Sequence, residues 1–242
     1  MTSSRRSDLS HTAELGASTV DRLHLGWADE ISVPPELLSE AGDHFVVREE
    51  IAMVMILDLF ESQVVIGPSA PLNRLRPLAP EQRSTADDVR GALGSGVRAI
   101  SAASLSYAED VRAPLGIEVA VSPVQNVDLL RDQCSAQEWE ESGLIDMPSR
   151  IAARRSDGKV AAVAGFERWG LHIAQLGVLV DPQYRGQGYG ACAAARAAQV
   201  AQGDQLIPQW RCRMDNVASL ELAQRLGFID AGRQLVIALE EG

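Results

Sequence analysis

Residues 178–203 read VLVDPQYRGQGYGACAAARAAQVAQG, and they place three glycines within five positions, at 186, 188 and 190. An apolar run precedes these glycines and an alanine-rich run follows them. This order predicts a strand, a loop and then a helix whose first turn carries almost no side chains. The first N–H groups of a helix have no partner within it, and together with the helix dipole they attract an anion. We therefore expect a phosphate-binding segment with donors from Gln187 through Ala191 and the charge of Arg185 beside them.

The composition indicates a globular protein and argues against several classes. Of the 242 residues, 46% are apolar, which is enough for a sizeable core. The longest apolar run, 51–57, is far shorter than the roughly 20 residues of a membrane-spanning helix, so we expect no membrane association. The first thirty residues lack the pattern of a secretory signal, which predicts a cytoplasmic location. The net charge of −11 argues against a nucleic-acid partner and favours a partner that bears an amine.

The cysteines give no sign of a disulfide framework or a metal site. Cys134, Cys192 and Cys212 are odd in number and show no paired spacing. We therefore predict no metal, and we expect these residues to behave as small hydrophobic side chains.

The chain divides by pattern near residue 116. In 1–116 we expect a loosely ordered start with one helix, two strands within 44–68 and a helical segment over 81–106. This N-terminal α/β region is compatible with three roles: a degenerate second copy of the following fold, a lid over the acceptor, or a module that forms a homodimer. It has no glycine-rich phosphate loop, so no second cofactor is expected there.

The second region, 117–242, has a sharper pattern that predicts the order β-α-β-β-β-α-β-α-β. Its first strand is expected over 116–122, and its first helix, which is amphipathic, over 127–143. Asp157-Gly158 between apolar runs favours a hairpin, and Trp169-Gly170 favours a second reversal into the next strand. Gly143 and Gly227 are expected to end helices. Either Asp215 or Asn216 caps the last helix. The expected fold class is α/β, with a mixed, mostly antiparallel sheet flanked by helices.

A glycine-rich strand–loop–helix segment can bind three classes of ligand, and the residues here match the requirements of two of them poorly. The spacing of Gly186, Gly188 and Ala191 formally satisfies the dinucleotide fingerprint, but the loop is long and no acidic residue follows at the required distance. The Lys-Ser/Thr pair of a nucleotide-hydrolysing P-loop is missing. A simple turn without a ligand is the remaining structural explanation. The third ligand class is coenzyme A.

The residues resemble the GNAT N-acetyltransferase superfamily. In that family the pattern Arg/Gln-x-x-Gly-x-Gly/Ala opens the helix that holds the diphosphate of acetyl-CoA, and Arg185, Gly188 and Gly190 match it. A second family motif is similar to DNVASLELAQRLGF at 215–228, and it follows at the expected distance. The resemblance covers about residues 117–242. The wording of 207–228 is most similar to the branch that includes zwittermicin-type antibiotic self-resistance acetyltransferases.

The resemblance implies acetyl-CoA as cosubstrate and a set of residues that bind it. The strand that ends at Val178-Leu179-Val180 should diverge from the next strand and pair with the pantetheine arm. The N–H of Val178 or Leu179 would then donate to the thioester oxygen. The complete expected set is Val178, Leu179, Val180, Arg185, Gly186, Gln187, Gly188, Tyr189, Gly190, Ala191, Asn216 and Ser219.

The catalytic groups are less certain from the sequence, because two family positions differ. Ala174 stands where many members have a glutamate base, which leaves His172, with an unperturbed pKa near 6.5, and Glu167 as candidate bases. Ala223 stands where many members have a tyrosine that protonates the leaving thiolate. Ser219, one turn earlier on that helix, is a candidate replacement, or it only caps the helix or binds the cosubstrate.

Two functions are consistent with these residues. The first is an acetyl-CoA-dependent N-acetyltransferase that acts on a small amine by direct attack on the thioester. The alternative is a non-catalytic acyl-CoA-binding sensor or regulatory module, which kept Arg185 to Ala191 but lost its acid at Ala223.

Overall fold

The structure is a computed structural model that describes residues 14–114, 120–124 and 128–240. Within these ranges, ten strands form one sheet, and helices cover both of its faces. The fold class predicted from the sequence is confirmed: the sheet is mixed but mostly antiparallel, and helices flank it. Every helix in the described ranges is too short or too polar to span a lipid bilayer.

The first half of the chain contributes four strands and five helices among the described residues. In chain order these are α1 (Ala17–Glu30), α2 (Glu36–Ser39), β1 (Gly42–Val47), β2 (Met53–Leu59), β3 (Ser62–Gly67), α3 (Ser69–Leu75), α4 (Pro80–Arg83), α5 (Ala86–Leu93) and β4 (Val97–Tyr107). The early helix is confirmed as α1, while the expected loosely ordered start falls on residues 1–13, which lie outside the described ranges. The prediction of two strands over 44–68 was wrong, because a short turn at Phe60 separates β2 from a third strand.

The helical prediction for 81–106 was correct only as far as Leu93. Gly94 and Gly96 both have positive φ, of 84° and 89°, and they end the helical segment before β4 begins. The sequence of β4 is rich in alanine and serine, which have little strand preference of their own. Its strand conformation comes from pairing on both sides, with β10 and with β9.

The second half follows the predicted order closely. Its elements are β5 (Ala120–Pro123), a 3₁₀ helix (Asp128–Gln133), α6 (Ala136–Ser142), β6 (Ser149–Arg154), β7 (Val160–Trp169), β8 (Ile173–Val180), a 3₁₀ turn (Pro182–Tyr184), α7 (Tyr189–Gly203), β9 (Ile207–Arg213), α8 (Val217–Leu226) and β10 (Ile229–Leu239). The predicted strand over 116–122 is described only from Ala120, and residues 116–119 lie outside the described ranges. The predicted helix over 127–143 is two shorter helices rather than one.

The caps and turns predicted for this half are confirmed. β6 and β7 form an antiparallel hairpin around Gly158, and β7 and β8 form the next antiparallel pair. Gly143 and Gly227 end α6 and α8 in the left-handed conformation. Asn216, rather than Asp215, caps α8, and its side chain accepts a hydrogen bond from the N–H of Ser219 at 3.1 Å.

The strand order is β1-β3-β2-β10-β4-β9-β8-β7-β6-β5. Only the pairs β1–β3 and β8–β9 are parallel among the described strands. β4, from the first half, lies between β9 and β10, both from the second half. The two regions distinguished in the sequence therefore contribute alternating strands to one sheet, while the domain boundary at residues 116 and 117 stays a prediction.

The two faces of the sheet carry different helices around β8. Ala174 and Leu176 lie in a core cluster with the alanines of α7, whose small side chains let the helix pack closely on the sheet. Ile173 faces the other way and packs with Trp27 of α1. On that second face the carbonyl of Ser142, at the end of α6, lies so close to Gly177 that a Cβ atom there would be 2.0 Å away. α1 and α6 thus share one face, and α7 covers the other.

Candidate active site

The pairing of β8 with β9 stops after three residues. Ile173 pairs with Ile207, and the last pair is Gln175 with Gln209. Residues 176–180 of β8 continue alongside β7, and residues 210–213 of β9 continue alongside β4, so the two strands diverge. The divergence expected from the family resemblance is therefore present in the sheet.

A cleft of about 1820 Å³ occupies the gap between the diverging strands. Its walls include residues 176–180 of β8, residues 210–213 of β9 and residues 99–103 of β4. Glu138, Glu141 and Ser142 of α6 contribute on one side, and the start of α8 contributes on another. Its volume exceeds the roughly 300–1,000 Å³ of a typical small-ligand pocket, so the cleft has room for a long ligand.

The glycine-rich loop forms one end of this cleft. Gly186 and Gly188 have φ of 73° and 85°, a left-handed conformation that glycine adopts without the strain of a side chain. Gly188 is the residue that precedes α7, and α7 begins at Tyr189. In the described part of the chain, no acceptor takes the N–H groups of residues 186–191. These donors and the positive end of the α7 dipole form an arrangement that attracts an anion.

Gly190 permits the close contact between α7 and β8. A Cβ atom at this position would lie 2.7 Å from Cγ2 of Val180, closer than real Cβ atoms come to their neighbours. The helix start is therefore held directly against the strand whose end lines the cleft.

Arg185 lies beside the loop, and its charge is paired. Nη2 of Arg185 donates to Oε1 of Glu138 on α6 at 2.6 Å, and both side chains are partly exposed. The N–H of Ser135, with a smaller contribution from Arg185, holds the pKa of Glu138 below its usual value. Glu138 is a residue that the sequence patterns did not single out, because its contact with Arg185 spans 47 positions.

Most of the residues predicted to bind the cosubstrate line this one cleft. They are Val178, Leu179, Val180, Arg185, Gly186, Gly188, Gly190, Ala191, Asn216 and Ser219. Gln187 and Tyr189 do not line it: the side-chain amide of Gln187 donates to the carbonyl of Gln183, and the Tyr189 ring packs edge-on against Tyr184. Their backbone N–H groups still belong to the loop described above.

The predicted catalytic side chains do not come together. Ser219 lines the cleft, where its Oγ accepts a hydrogen bond from Nε1 of Trp210 at 3.0 Å. His172 precedes β8 and lines a separate, smaller cavity with Arg22 and Asp204, and burial with the nearby Arg22 lowers its pKa. Their assignments stay predictions.

Glu167, the other candidate base, also lies outside the lining of the cleft. It is opposite Gln175 in the β7–β8 register, and its Oε1 accepts a hydrogen bond from Nε1 of Trp169 at 2.8 Å. Burial and the nearby Glu167 raise the pKa of Glu30 on α1. The role of Glu167 as a base likewise stays a prediction.

A buried chain of polar side chains marks the point where β8 and β9 separate. Nε1 of Trp27 donates to the hydroxyl of Tyr107 at 2.6 Å, and that hydroxyl donates to Oε1 of Gln209 at 2.7 Å. Nε2 of Gln209 donates to Oε1 of Gln175 at 2.6 Å, and Nε2 of Gln175 donates to the carbonyl of Leu176 at 2.9 Å. Burial raises the pKa of Tyr107, so its hydroxyl keeps the proton that it donates. No sequence motif signals this chain, because it joins four separate elements.

Comparison with known proteins identifies the class that this site resembles. Residues 121–228 match the model of the Acetyltransferase (GNAT) family. The matched segment contains the glycine-rich loop, the diverging strands and α8. No curated protein matches the sequence.

Solved structures were compared with this chain as well. A GCN5-related N-acetyltransferase from Kribbella flavida is 17% identical, and the alignment covers 95% of this chain and 98% of that chain with a TM-score of 0.50. A GCN5-related N-acetyltransferase-like protein from Streptococcus suis is 17% identical, with 93% and 99% covered and a TM-score of 0.49. The fold is thus GNAT-like, and the family match supports the GNAT superfamily as the class. No match supports the narrower resemblance to zwittermicin-type resistance acetyltransferases, which stays a prediction.

Proposed function

We propose that this protein is an acetyl-CoA-dependent N-acetyltransferase that acetylates a small amine. The proposal rests on the position of the glycine-rich loop, which follows the end of β8 that diverges from β9. One ligand can then place its diphosphate on the N–H groups of residues 186–191 and run its pantetheine arm between the strands. Coenzyme A has this shape and this charge.

The residues around the cleft divide the binding of acetyl-CoA among them. The N–H groups of 186–191 and the guanidinium of Arg185 hold the diphosphate, for which Arg185 exchanges its contact with Glu138. Backbone groups of Val178 to Val180 pair with the amides of the pantetheine arm. Asn216 and Ser219, at the start of α8, contact the arm from the opposite wall.

The acceptor nitrogen reacts with the thioester carbonyl in the gap between the strands. A base removes one proton from the ammonium group, the nitrogen forms the new C–N bond, and the C–S bond breaks so that coenzyme A leaves. The nitrogen then loses its second proton, and the leaving thiolate gains one to become the free thiol. The N–H of Val178 or Leu179 is the proposed donor to the carbonyl oxygen, an interaction typically worth about 3 kcal/mol in the transition state. His172 and Glu167 are the bases proposed from the sequence, and Ser219 is the proposed proton donor to the leaving thiolate.

Calorimetry with acetyl-CoA tests the binding part of this proposal. Leucine at Gly188 places a side chain where φ is positive and where the diphosphate would lie, so Gly188→Leu should weaken acetyl-CoA binding at least about tenfold. Gly158→Leu is the matched control, because Gly158 has a similar φ of 82° but lies in the β6–β7 hairpin turn. Equal affinity of the wild type and Gly188→Leu would refute the diphosphate site.

Release of coenzyme A, followed with a thiol-reactive dye across a panel of amines, tests turnover. An N-acetyltransferase releases thiol only when a suitable amine is present, whereas an acyl-CoA sensor binds acetyl-CoA without such release. Comparing His172→Ala with Glu167→Gln at several pH values then assigns the base. Wild-type rates in both variants would remove both candidates.

A further inference from the structure

Among the described residues, one half-buried arginine in the cleft lacks a carboxylate partner. Arg211 lies on β9, two residues beyond the last β8–β9 pair, and its half-buried side chain lines the cleft. Its Nε donates to Oε1 of Gln234 at 2.9 Å, and its Nη2 donates to Oγ of Ser101 at 2.8 Å. Both partners are neutral. Within the described ranges, no carboxylate lies within ion-pair distance of Arg211.

The contrast with the nearby arginines makes this charge unusual. Arg213, two positions along the same strand, pairs with Asp215 at 2.5 Å and with Glu141 at 3.2 Å. Arg185, at the other edge of the cleft, pairs with Glu138. Arg185 and Arg213 are exposed to solvent, and so is Arg112, which lines the cleft without an ion pair to any residue that the structure describes. Arg211 is half-buried, so water screens its uncompensated charge less than it screens the charges of these arginines. Burial lowers the pKa of Arg211, although a guanidinium remains charged at neutral pH.

A partly buried charge without a counterion is costly, so its retention in a cleft points to a ligand that supplies the counterion. Gln234 and Ser101, on the strands β10 and β4, fix the guanidinium through Nε and one Nη2 hydrogen. The remaining N–H groups, on Nη1 and Nη2, have no protein acceptor among the described residues. The N–H groups of a planar guanidinium form a fork that can donate to both oxygens of one carboxylate.

The position of Arg211 separates this anion from the diphosphate of coenzyme A. Arg211 is opposite Leu105 in the β4–β9 register, and Leu105 packs in the core cluster of α1. The residues on either side, Trp210 and Cys212, pack in the cluster of α7. Arg211 therefore faces the α1 side of the sheet, whereas the diphosphate loop belongs to the start of α7. The cleft reaches both sides, and Arg211 lies where the second substrate would enter.

We propose that the acceptor is an amine that also carries a carboxylate, an amino acid or amino-acid-like compound, and that Arg211 binds this carboxylate. The inference rests on the proposed acetyltransferase function and names the substrate class of that same site. Arg211 is then a residue that determines acceptor specificity, while the proton transfers are left to other groups.

Matched acceptor pairs test this inference. For each of a set of α-amino acids, kcat/KM for acetyl transfer is compared with that of the corresponding amino-acid amide, which keeps the amine and the side chain but lacks the anion. The wild type should prefer the acid in at least one pair by about tenfold or more, the factor that corresponds to one charge-assisted hydrogen bond. Arg211→Gln should abolish this preference and leave acetyl-CoA affinity within about twofold of the wild type. Arg211→Lys, which keeps the charge but not the fork, should retain part of the preference.

Arg233→Gln is the matched control, because Arg233 is exposed on β10 next to Gln234 and does not line the cleft. Thermal unfolding of each variant shows whether it is folded, and acetyl-CoA affinity is measured on each. If the wild type does not bind acetyl-CoA, the proposed function fails. If it binds acetyl-CoA and acetylates amines but treats every acid and its amide alike, only the role of Arg211 fails. The inference is also overturned if no amino acid in the panel is acetylated and no N-acetylated amino acid binds the protein while coenzyme A is bound to it.

Discussion

The two ends of the β8–β9 pair satisfy their polar groups in opposite ways. From Ile173 to Gln175 the strands are joined by ladder hydrogen bonds, and a buried chain of side chains from Trp27 to Gln175 runs beside them. Beyond Gln175 no residue of β9 pairs with β8, and the gap belongs to the cleft. At the junction, the amide of Gln175 donates to the carbonyl of Leu176, the first residue without a partner on β9.

The comparison shows that specific residues form the gap between β8 and β9, which is more than a place where the strands lack pairing. At the paired end, long amide side chains fill the interior, and the amide nitrogens of Gln175 and Gln209 each donate a hydrogen bond. At the divergent end, glycines replace side chains so that helices reach the strand: Gly177 admits the end of α6, and Gly190 admits the start of α7. The following substitutions disturb one end at a time.

The largest effect is expected from Gly177→Ala at the divergent end. A Cβ atom there would lie 2.0 Å from the Ser142 carbonyl oxygen and 2.7 Å from Cε of Met147, so α6 must move away from β8. We expect the free energy of unfolding in urea to fall by about 3 kcal/mol, the upper part of the range for overpacking. Gly203→Ala is the control, because a Cβ at Gly203 meets no atom within 4 Å. A similar, small change in both variants would show that α6 adapts without strain.

The next effect is expected from Gln209→Leu at the paired end. The substitution leaves the Tyr107 hydroxyl without its acceptor and Gln175 Oε1 without its donor, both in a buried site. We expect a loss of about 2 kcal/mol in urea unfolding, because each buried unsatisfied group costs about 1–3 kcal/mol. Gln224→Leu, on the exposed side of α8, is the matched control.

The same Gln209→Leu variant also tests whether the buried chain of hydrogen-bonded side chains determines how β8 and β9 diverge. If it does, acetyl-CoA affinity should fall together with stability, because the geometry of the strands at the cleft changes. Reduced stability with unchanged affinity would mean that the chain supports the core alone and that the glycines and helices hold the cleft open.

Local sequence predicted the loop and the helix starts at the divergent end, and the family resemblance predicted the divergence itself, but neither predicted the paired end. The glycine loop, the start of α7 and the cap at Asn216 depend on neighbours within a few positions, and such local geometry follows from residue type. The chain through Trp27, Tyr107 and Gln209 joins residues up to 102 positions apart in a single hydrogen bond. Nothing in the local sequence around these residues distinguishes them from ordinary core or surface positions.

The same distinction explains the errors in the first half of the chain. β4 was predicted as part of a helix because its alanines and serines fit a helix as well as a strand. Its conformation is determined by β9 and β10, which lie more than a hundred residues later in the chain. The surroundings of Arg211 depend on that same three-strand arrangement, because its partners Ser101 and Gln234 lie on β4 and β10.

A smaller effect is expected from His24 on α1, the helix that covers the paired end. Both ring nitrogens of His24 are buried without a hydrogen-bond partner in the described part of the chain, and its ring packs edge-on against Phe60. Burial lowers the pKa of His24, an effect that the nearby Asp21 opposes. The unfolded chain, with a histidine pKa of about 6.5, then binds the proton more readily than the folded protein.

The sign of the pH dependence follows from this difference. Below about pH 6.5 the unfolded state takes up more protons, so His24 makes the free energy of unfolding fall as the pH decreases. Urea unfolding at pH 7 and pH 5 should show a larger loss for the wild type than for His24→Phe, which keeps an aromatic ring against Phe60. An identical loss in both proteins would show that other groups determine the pH dependence.

The smallest effect is expected from Glu138→Gln, which changes only the charge beside the diphosphate loop. The Glu138 carboxylate pairs with Arg185 at 2.6 Å, and both side chains are partly exposed. Such pairs contribute at most about 1 kcal/mol, so releasing Arg185 and removing a negative charge should raise acetyl-CoA affinity about two- to fivefold. Calorimetry measures this change, and it should shrink as salt is added. Glu140→Gln is the control, since Glu140 is exposed on the same helix and does not line the cleft. A lower affinity in Glu138→Gln would instead mean that the carboxylate orients Arg185 toward the diphosphate, so that α6 supports the divergent end through charge as well as through its contact with Gly177.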